Sequence, residues 1–259
     1  VGANLVDHLG IAVVFKSRNR CDNGQPHLIF GKSILSFIKY KARGTGAISS
    51  QIGEAANFVR LEEIAPDFVA REKANGTYQE RASGPNSPHI ELIFTPIFNR
   101  QHGTIMPSDT KNYYSIVALL LNPCSSGKLT IAPKFNPSGD TQTKTKGNGS
   151  PDFETVIDPN YFSDPFDLRV MAEAVKFIRR LARRMNEDPE IGGRECYPGE
   201  QDVPDHDDAG LQAYVRTAVE TYYHPTSTCR MGPTSDTLAV VDNRLNVYGI
   251  DRLRVIDAS

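Results

Sequence analysis

A histidine beside a run of hydroxyl residues is the first candidate for chemistry in this sequence. His224 is followed by Pro225 and then by Thr226, Ser227 and Thr228. Because a proline restricts the residue before it to extended conformations, the His224 imidazole projects from a stiff connection. Imidazole changes its protonation near neutral pH, so His224 is a candidate general base.

Two other chemistries could use the same stretch. A hydrolase triad can be assembled from Ser227, His224 and Asp257, but the chain has no Gly-x-Ser-x-Gly elbow to present the serine. A zinc site built on His224 and Cys229 needs at least two more ligands, and none lies near in sequence. The four cysteines form no Cys-x-x-Cys pair. We therefore predict no metal site and no disulfide framework.

The remaining histidines have weaker surroundings than His224. They are His8, His27, His89, His102 and His206. Taken alone, His8 is as well explained as a turn residue that hydrogen-bonds to backbone, and the other four have no neighbours that indicate chemistry. A lone histidine is more often a structural or surface residue, so we interpret most of them in that way.

Short apolar runs bounded by turn residues predict strands along most of the chain. The predicted strands are residues 9–15, 55–60, 89–95, 113–121 and 128–131, and a strand pair within 240–259 that follows a tight turn at Gly232-Pro233. Residues 70–88 and 134–151 are polar and predict loops. Successive strands joined by loops favour an antiparallel sheet. Together with the helices, this predicts an α+β fold, an antiparallel sheet backed by helices.

Three segments have helical periodicity. The clearest starts at Asp164, a candidate N-cap, has Pro165 in its first turn and carries an apolar stripe from Met171 to Met185. The other two are residues 32–41 and residues 208–220. For the last of these, Asp205 and Asp207 are both candidate caps.

Four arginines occupy the last turns of the long predicted helix, where the helix dipole favours cations. They are Arg179, Arg180, Arg183 and Arg184. We interpret them as a solvated helix end, with an anion site as the alternative.

Composition narrows the possible partners. The net charge of −2 comes from interspersed acids and bases, which gives no basic footprint for nucleic acid and favours a small-molecule ligand. No apolar run approaches the roughly 20 residues of a membrane-spanning helix. Two sequons, Asn75-Gly76-Thr77 and Asn148-Gly149-Ser150, favour a secreted protein, although such triplets also arise by chance.

Three separated motifs extend over nearly the whole chain. They are Gly2-x-Asn4-Leu5-x-Asp7-His8, Asp158-Pro159-Asn160-Tyr161-Phe162-Ser163-Asp164-Pro165-x-Asp167, and His224-Pro225-x-x-Thr228-Cys229-x-Met231-Gly232 followed by Val241-Asp242 and by Leu253 to Ser259. Together, and in this order, they resemble the motifs of the glucose-methanol-choline (GMC) family of flavin oxidoreductases.

The resemblance implies an FAD enzyme that oxidises an alcohol, with His224 accepting the alcohol proton while hydride passes to the flavin. It also places Asp257, Ala258, Ser259, Asn4 and His8 at the cofactor, with residues 257–259 ending a strand on its ribityl and pyrophosphate side. By the same resemblance, residues 1–8 connect from an FAD domain, residues 9–220 form a substrate-binding domain, and residues 221–259 return to the FAD domain.

The sequence departs from the family pattern in two places. It has no Gly-x-Gly-x-x-Gly fingerprint for the FAD diphosphate. The family's second catalytic residue, a His or an Asn, lies shortly beyond the Asp-Ala-Ser motif, where this sequence stops. We therefore expect a carboxy-terminal fragment that by itself neither holds FAD tightly nor turns over. A hydroxynitrile lyase on the same fold and a non-catalytic binding module are the alternatives.

Overall fold

A computed structural model describes residues 1–18, 32–53, 55–109, 111–133, 153–189 and 191–259. The chain folds into two compact units. Unit 1 comprises Val1–Asp7, Ser125–Ser163 and Tyr223–Ser259, and unit 2 comprises His8–Cys124 and Asp164–Tyr222. The assignment of parts of the chain to FAD-binding and substrate-binding domains stays a prediction. His27, Cys21, the predicted loop at 134–151 and the second sequon lie outside the described residues.

The described residues form nine strands and five α-helices. The strands are β1 (Ala3–Leu5), β2 (Leu9–Ser17), β3 (Ala55–Val59), β4 (Ile90–Thr95), β5 (Tyr113–Leu120), β6 (Gly127–Pro133), β7 (Phe153–Asp158), β8 (Gly193–Tyr197) and β9 (Glu220–Thr221). The helices are α1 (Lys32–Arg43), α2 (Leu61–Ile64), α3 (Pro66–Ala74), α4 (Pro165–Met185) and α5 (Asp208–Ala218), and a 3-10 turn spans Ala47–Ser49.

The sheet of unit 2 is antiparallel throughout. Its strand order is β3-β4-β5-β2-β8, and β9 also pairs with β2. In the centre, Leu9 pairs with Leu120 and Val13 with Ile116. Both central strands are buried at nearly every position, and α4 packs against them. The predicted α+β class, an antiparallel sheet backed by helices, is confirmed.

Helix α4 has the predicted start. The Asp164 carboxylate accepts a hydrogen bond from the Phe166 N–H at 2.8 Å, and Pro165 occupies the first turn. The predicted stripe is buried at Met171, Ala174, Val175, Ile178 and Ala182. No helix in the described ranges is long and apolar enough to cross a membrane.

The arginines of α4 do not form a solvated helix end as a group. Arg179 is 1% exposed, and its guanidinium binds the carboxylates of Glu195 and Asp205. It also donates to the carbonyl of Val203 at 2.8 Å. These partners follow α4 in the chain, so the periodicity of the helix alone could not reveal them. Arg180, Arg183 and Arg184 are exposed, as predicted, and Arg179 is the exception.

Two further boundaries differ from the prediction. Helix α5 is capped by Asp207, whose carboxylate accepts the Gly210 N–H, but it ends at Ala218 rather than at residue 220. The next residues extend because β9 pairs with β2. In the predicted loop 70–88, helix α3 continues to Ala74.

Unit 1 contains a separate antiparallel sheet with the order β1-β6-β7. Two glycines permit its close backbone contacts. Gly2 has φ +84°, and a Cβ there would lie 2.1 Å from the Leu129 carbonyl oxygen. A Cβ on Gly127 would lie 2.0 Å from the Asp158 carbonyl oxygen. A larger residue at either position would force the strands apart.

The prediction of a strand pair in residues 240–259 is wrong. This part of unit 1 contains only isolated bridges, which join Met231 to Val241, Val241 to Val247 and Asn246 to Arg254. Positive φ angles at Leu245, Gly249 and Arg252 interrupt the extended conformation every few residues. Residues 257–259 accordingly do not end a strand.

Arg179 and Arg183 offer a matched test of buried and exposed ion pairs, since both contact Asp205. Arg179→Ala removes the cation that pairs with the largely buried carboxylate of Glu195. We therefore expect a loss of about 3–5 kcal/mol in the free energy of unfolding. Arg183 is 49% exposed, and Arg183→Ala should cost less than about 1 kcal/mol. Urea denaturation measures both, and equal losses would contradict the structural role of Arg179.

Candidate active site

The carboxylate of Asp7 joins three distant stretches of unit 1. Its Oδ1 accepts the backbone N–H of His224 at 3.0 Å, and its Oδ2 accepts the hydroxyl of Tyr161 at 2.5 Å. Asp7 is only 7% exposed. A buried carboxylate is costly unless hydrogen bonds satisfy its oxygens, so both donors stabilise it. The three motifs identified in the sequence therefore meet at one side chain.

The segment after His224 is hydrogen-bonded on both sides. On one side, Thr226 and Val6 exchange backbone hydrogen bonds of 2.8 and 3.1 Å, and the Gly2 N–H donates to the Thr228 carbonyl. On the other side, Ser227 donates its N–H to the Ala258 carbonyl, and Cys229 donates to the Ser259 carbonyl. These bonds fix the chain that carries the histidine between the first and the last residues of the sequence.

His224 itself is exposed, between a residue with left-handed backbone and a proline. Tyr223 has φ +59°, an uncommon conformation for a residue with a side chain. Pro225 fixes the backbone on the other side. With its N–H held by Asp7, the histidine has a defined backbone position and an imidazole that a substrate can reach.

Of the predicted cofactor residues, four lie in unit 1. Asn4 has φ +58° at an irregularity of β1, and its buried Nδ2 has no hydrogen-bond partner among the described residues. Asp257 accepts hydrogen bonds from the N–H and hydroxyl of Ser259, which lower the pKa of its carboxyl. Ala258 and Ser259 supply the carbonyls described above.

His8, the fifth predicted residue, is the first residue of unit 2. There its carbonyl accepts the Tyr222 N–H at 3.1 Å.

The residues proposed for a hydrolase have other partners. The Ser227 hydroxyl contacts the Thr226 hydroxyl at 3.3 Å, and the Asp257 carboxylate is bonded to Ser259. Both side chains thus bond to residues close to them in sequence, and neither contact belongs to a serine-hydrolase triad. In the described part of the chain, no group of three His, Cys, Asp or Glu side chains is placed to hold a metal ion.

Unit 2 contains a small polar cleft of about 120 Å³. Its lining includes Asn99, Arg100, Tyr197 and Glu220. Glu220 accepts the backbone N–H of His102 at 3.0 Å and pairs with the same residue's Nε2 at 3.3 Å. His102 therefore has a charged partner that the sequence did not indicate.

His89 is a structural histidine, as expected. Its side chain is 5% exposed, its Nδ1 accepts the Leu61 N–H, and its Nε2 lies 2.8 Å from Glu80. The Nδ1 bond requires that nitrogen to be unprotonated, so Nε2 carries the proton toward Glu80.

A family model described as GMC oxidoreductase matches residues 140–259. Over its whole length the chain is 28% identical to "Alcohol dehydrogenase [acceptor]" of Pseudomonas putida and 29% identical to patulin synthase of Aspergillus clavatus. The chain belongs to the GMC oxidoreductase family. It spans 39% and 38% of the length of these two relatives.

Two solved structures show the same fold. A variant of Aspergillus oryzae formate oxidase, described in connection with FAD modification, aligns with all of this chain and 42% of its own, with a TM-score of 0.75 and 26% identity. Pyridoxine 4-oxidase from Mesorbium loti aligns with all of this chain and 38% of its own, with a TM-score of 0.63 and 22% identity, which supports the fold alone.

Asp7 and Tyr161 also belong to this site, and neither was predicted from the sequence as a site residue. Both lie inside the motifs that carried the resemblance, so the motifs contained a signal. Only the fold shows that the two side chains bond to each other and that Asp7 holds the backbone of His224.

Replacing Asp7 should release the backbone of His224. In Asp7→Ala the His224 N–H loses its acceptor, which corresponds to about 1–2 kcal/mol and so to roughly 5- to 30-fold faster amide exchange. Hydrogen–deuterium exchange of a peptide containing residue 224 measures it. Asp257→Ala is the control, because that carboxylate bonds to Ser259 instead. If the amides of β5 stay protected from exchange and the rate at His224 is unchanged in Asp7→Ala, then Asp7 does not hold the His224 backbone.

Proposed function

We propose that this GMC oxidoreductase takes part in the FAD-dependent oxidation of an alcohol to a carbonyl compound, with His224 as the base. The observation that carries the proposal is the hydrogen bond from the His224 backbone to the buried carboxylate of Asp7, which fixes the backbone that carries an exposed histidine. The family match and the alcohol dehydrogenase among the relatives support the reaction class. Since the chain spans only 39% of that relative, the activity is proposed for the complete protein.

The proton step follows from the chemistry of the histidine. A neutral imidazole within hydrogen-bond reach of a substrate hydroxyl accepts its proton and leaves the electron pair of the O–H bond on the substrate oxygen. That pair forms the carbonyl double bond as hydride leaves the carbinol carbon. Asp7 and Tyr161 act as positioning residues, because they hold the backbone and not the ring.

FAD, when bound, supplies the electron sink that accepts hydride from the carbinol carbon. The residues of unit 1 fit part of this cofactor. The buried Nδ2 of Asn4 is an unsatisfied donor that suits an acceptor oxygen. The lowered pKa of Asp257 keeps its carboxylate as an acceptor, which suits a sugar hydroxyl better than a phosphate. Ribityl hydroxyls present both functions, so these two residues are proposed to hold that part of FAD.

The test uses the complete FAD-loaded protein. Flavin bleaching is followed anaerobically with a panel of primary alcohols, aldoses and choline. His224→Ala should slow reduction by about 10²- to 10⁴-fold, the usual contribution of a positioned base. His206→Ala is the matched control, because His206 is an exposed histidine of unit 2 before α5. That variant should reduce at the normal rate.

Two outcomes would overturn this function. If no alcohol bleaches the flavin, the protein is not an alcohol oxidase or dehydrogenase. Cleavage of a cyanohydrin without bleaching would instead identify a hydroxynitrile lyase. Bleaching that is equally fast in His224→Ala would remove the role of the histidine while leaving the reaction.

A further inference from the structure

Helix α1 presents three large apolar side chains to solvent. Ile34, Phe37 and Ile38 are 68%, 53% and 56% exposed, whereas Ser36 is 7% exposed. Residues separated by three and four positions lie on one helix face, so the three exposed side chains form a single patch. This is the reverse of an ordinary surface helix, which buries its apolar stripe. The patch therefore needs an explanation outside unit 2.

Two more exposed apolar side chains follow the helix in the chain. The 3-10 turn Ala47–Ser49 lies beside α1, and Ile48 and Ile52 are 40% and 43% exposed. Scattered exposed apolar residues are common, but a contiguous set such as the one on α1 marks an interaction surface. We call residues 32–53 the basic apolar segment.

The charge of this segment is one-sided. It contains Lys32, Lys39, Lys41 and Arg43 and has no Asp or Glu, in a chain whose net charge is −2. The Lys41 amine lies 5.8 Å from the centre of the Phe37 ring, so a cation sits at the edge of the apolar patch. The partner must therefore combine an apolar region that can bury these side chains with negative charges that pair with the cations.

We propose that the basic apolar segment docks on the surface of an anionic lipid bilayer. Helices with apolar residues on one face and lysines or arginines on the other lie in the membrane plane, with the apolar face among the acyl chains. Phosphate and carboxylate headgroups neutralise the exposed cations Lys39, Lys41 and Arg43. At 12 residues, α1 is about 18 Å long, which suits a helix that lies along a bilayer and does not cross it.

A second copy of the chain is a poorer occupant. A symmetric dimer through this surface would bring Lys39, Lys41 and Arg43 of one copy against those of the other, with no acidic residue in the segment to compensate. An anionic bilayer has the complementary charge. The proposal does not depend on the reaction assigned to the site in unit 1.

The absence of tryptophan from the chain gives a clean probe. Phe37→Trp places a single fluorophore in the patch, and Phe58→Trp places one at a similarly exposed phenylalanine of β3, 57% against 53%. Phosphatidylcholine vesicles with 30% phosphatidylserine should shift the emission of Trp at position 37 to the blue, and should leave the emission at position 58 unchanged. Shifts at both positions, or at neither, would overturn the proposal.

Vesicle sedimentation tests the two parts of the surface. Ile34→Ser with Phe37→Ser and Ile38→Ser removes the apolar patch, and Lys39→Gln with Lys41→Gln and Arg43→Gln removes three cations. Each triple variant should lower partitioning onto the serine-containing vesicles at least tenfold. Arg71→Gln with Arg81→Gln and Arg216→Gln makes the same charge change at exposed positions elsewhere in unit 2 and should partition normally.

Two results would overturn the bilayer as occupant. Equal binding to pure phosphatidylcholine vesicles would remove the electrostatic part of the proposal. A dimer detected by light scattering that is abolished by the apolar triple variant would identify a second copy as the partner. Thermal melting of each variant confirms that the comparison is between folded proteins.

Discussion

Unit 1 depends on satisfying one buried carboxylate. The two hydrogen bonds of Asp7 reach 154 residues along the chain to Tyr161 and 217 residues to His224. Removing a carboxylate from water is unfavourable, and charge-assisted hydrogen bonds offset that cost only if both donors arrive in the right place. The same requirement that stabilises this packing also places the histidine. Stability and the position of the candidate base therefore share one interaction.

The fold was predictable where local pattern and tertiary packing agree. Helix α4 has a cap, a first-turn proline and an apolar stripe that all indicate the same element, and β5 is apolar at successive positions because it is covered on both faces. Prediction failed where partners come from elsewhere in the chain. The environment of Arg179 depends on Glu195 and Asp205, and the end of α5 depends on the pairing of β9 with β2.

The site was predictable in outline only. The motif around His224 indicates a base, and the resemblance supplied the cofactor residues, but neither shows which groups hold the histidine. The left-handed conformation of Asn4 and its unsatisfied amide are properties of the folded backbone, with no signature in the residue type beyond the tolerance of asparagine for positive φ. The apolar run after Val240 looked like strands because side-chain type does not report the positive φ angles that interrupt it.

The discontinuous composition of unit 1 has a consequence for biosynthesis. Unit 2 contains no residue after Tyr222, so it can complete its packing while the chain is still being made. Unit 1 cannot complete its packing at that stage, because Asp7 precedes unit 2 in the chain, while the residue whose backbone it holds and the carbonyls of Ala258 and Ser259 follow unit 2. During synthesis β1 must therefore wait for its partners, and the candidate base becomes positioned only after the other unit has had time to fold.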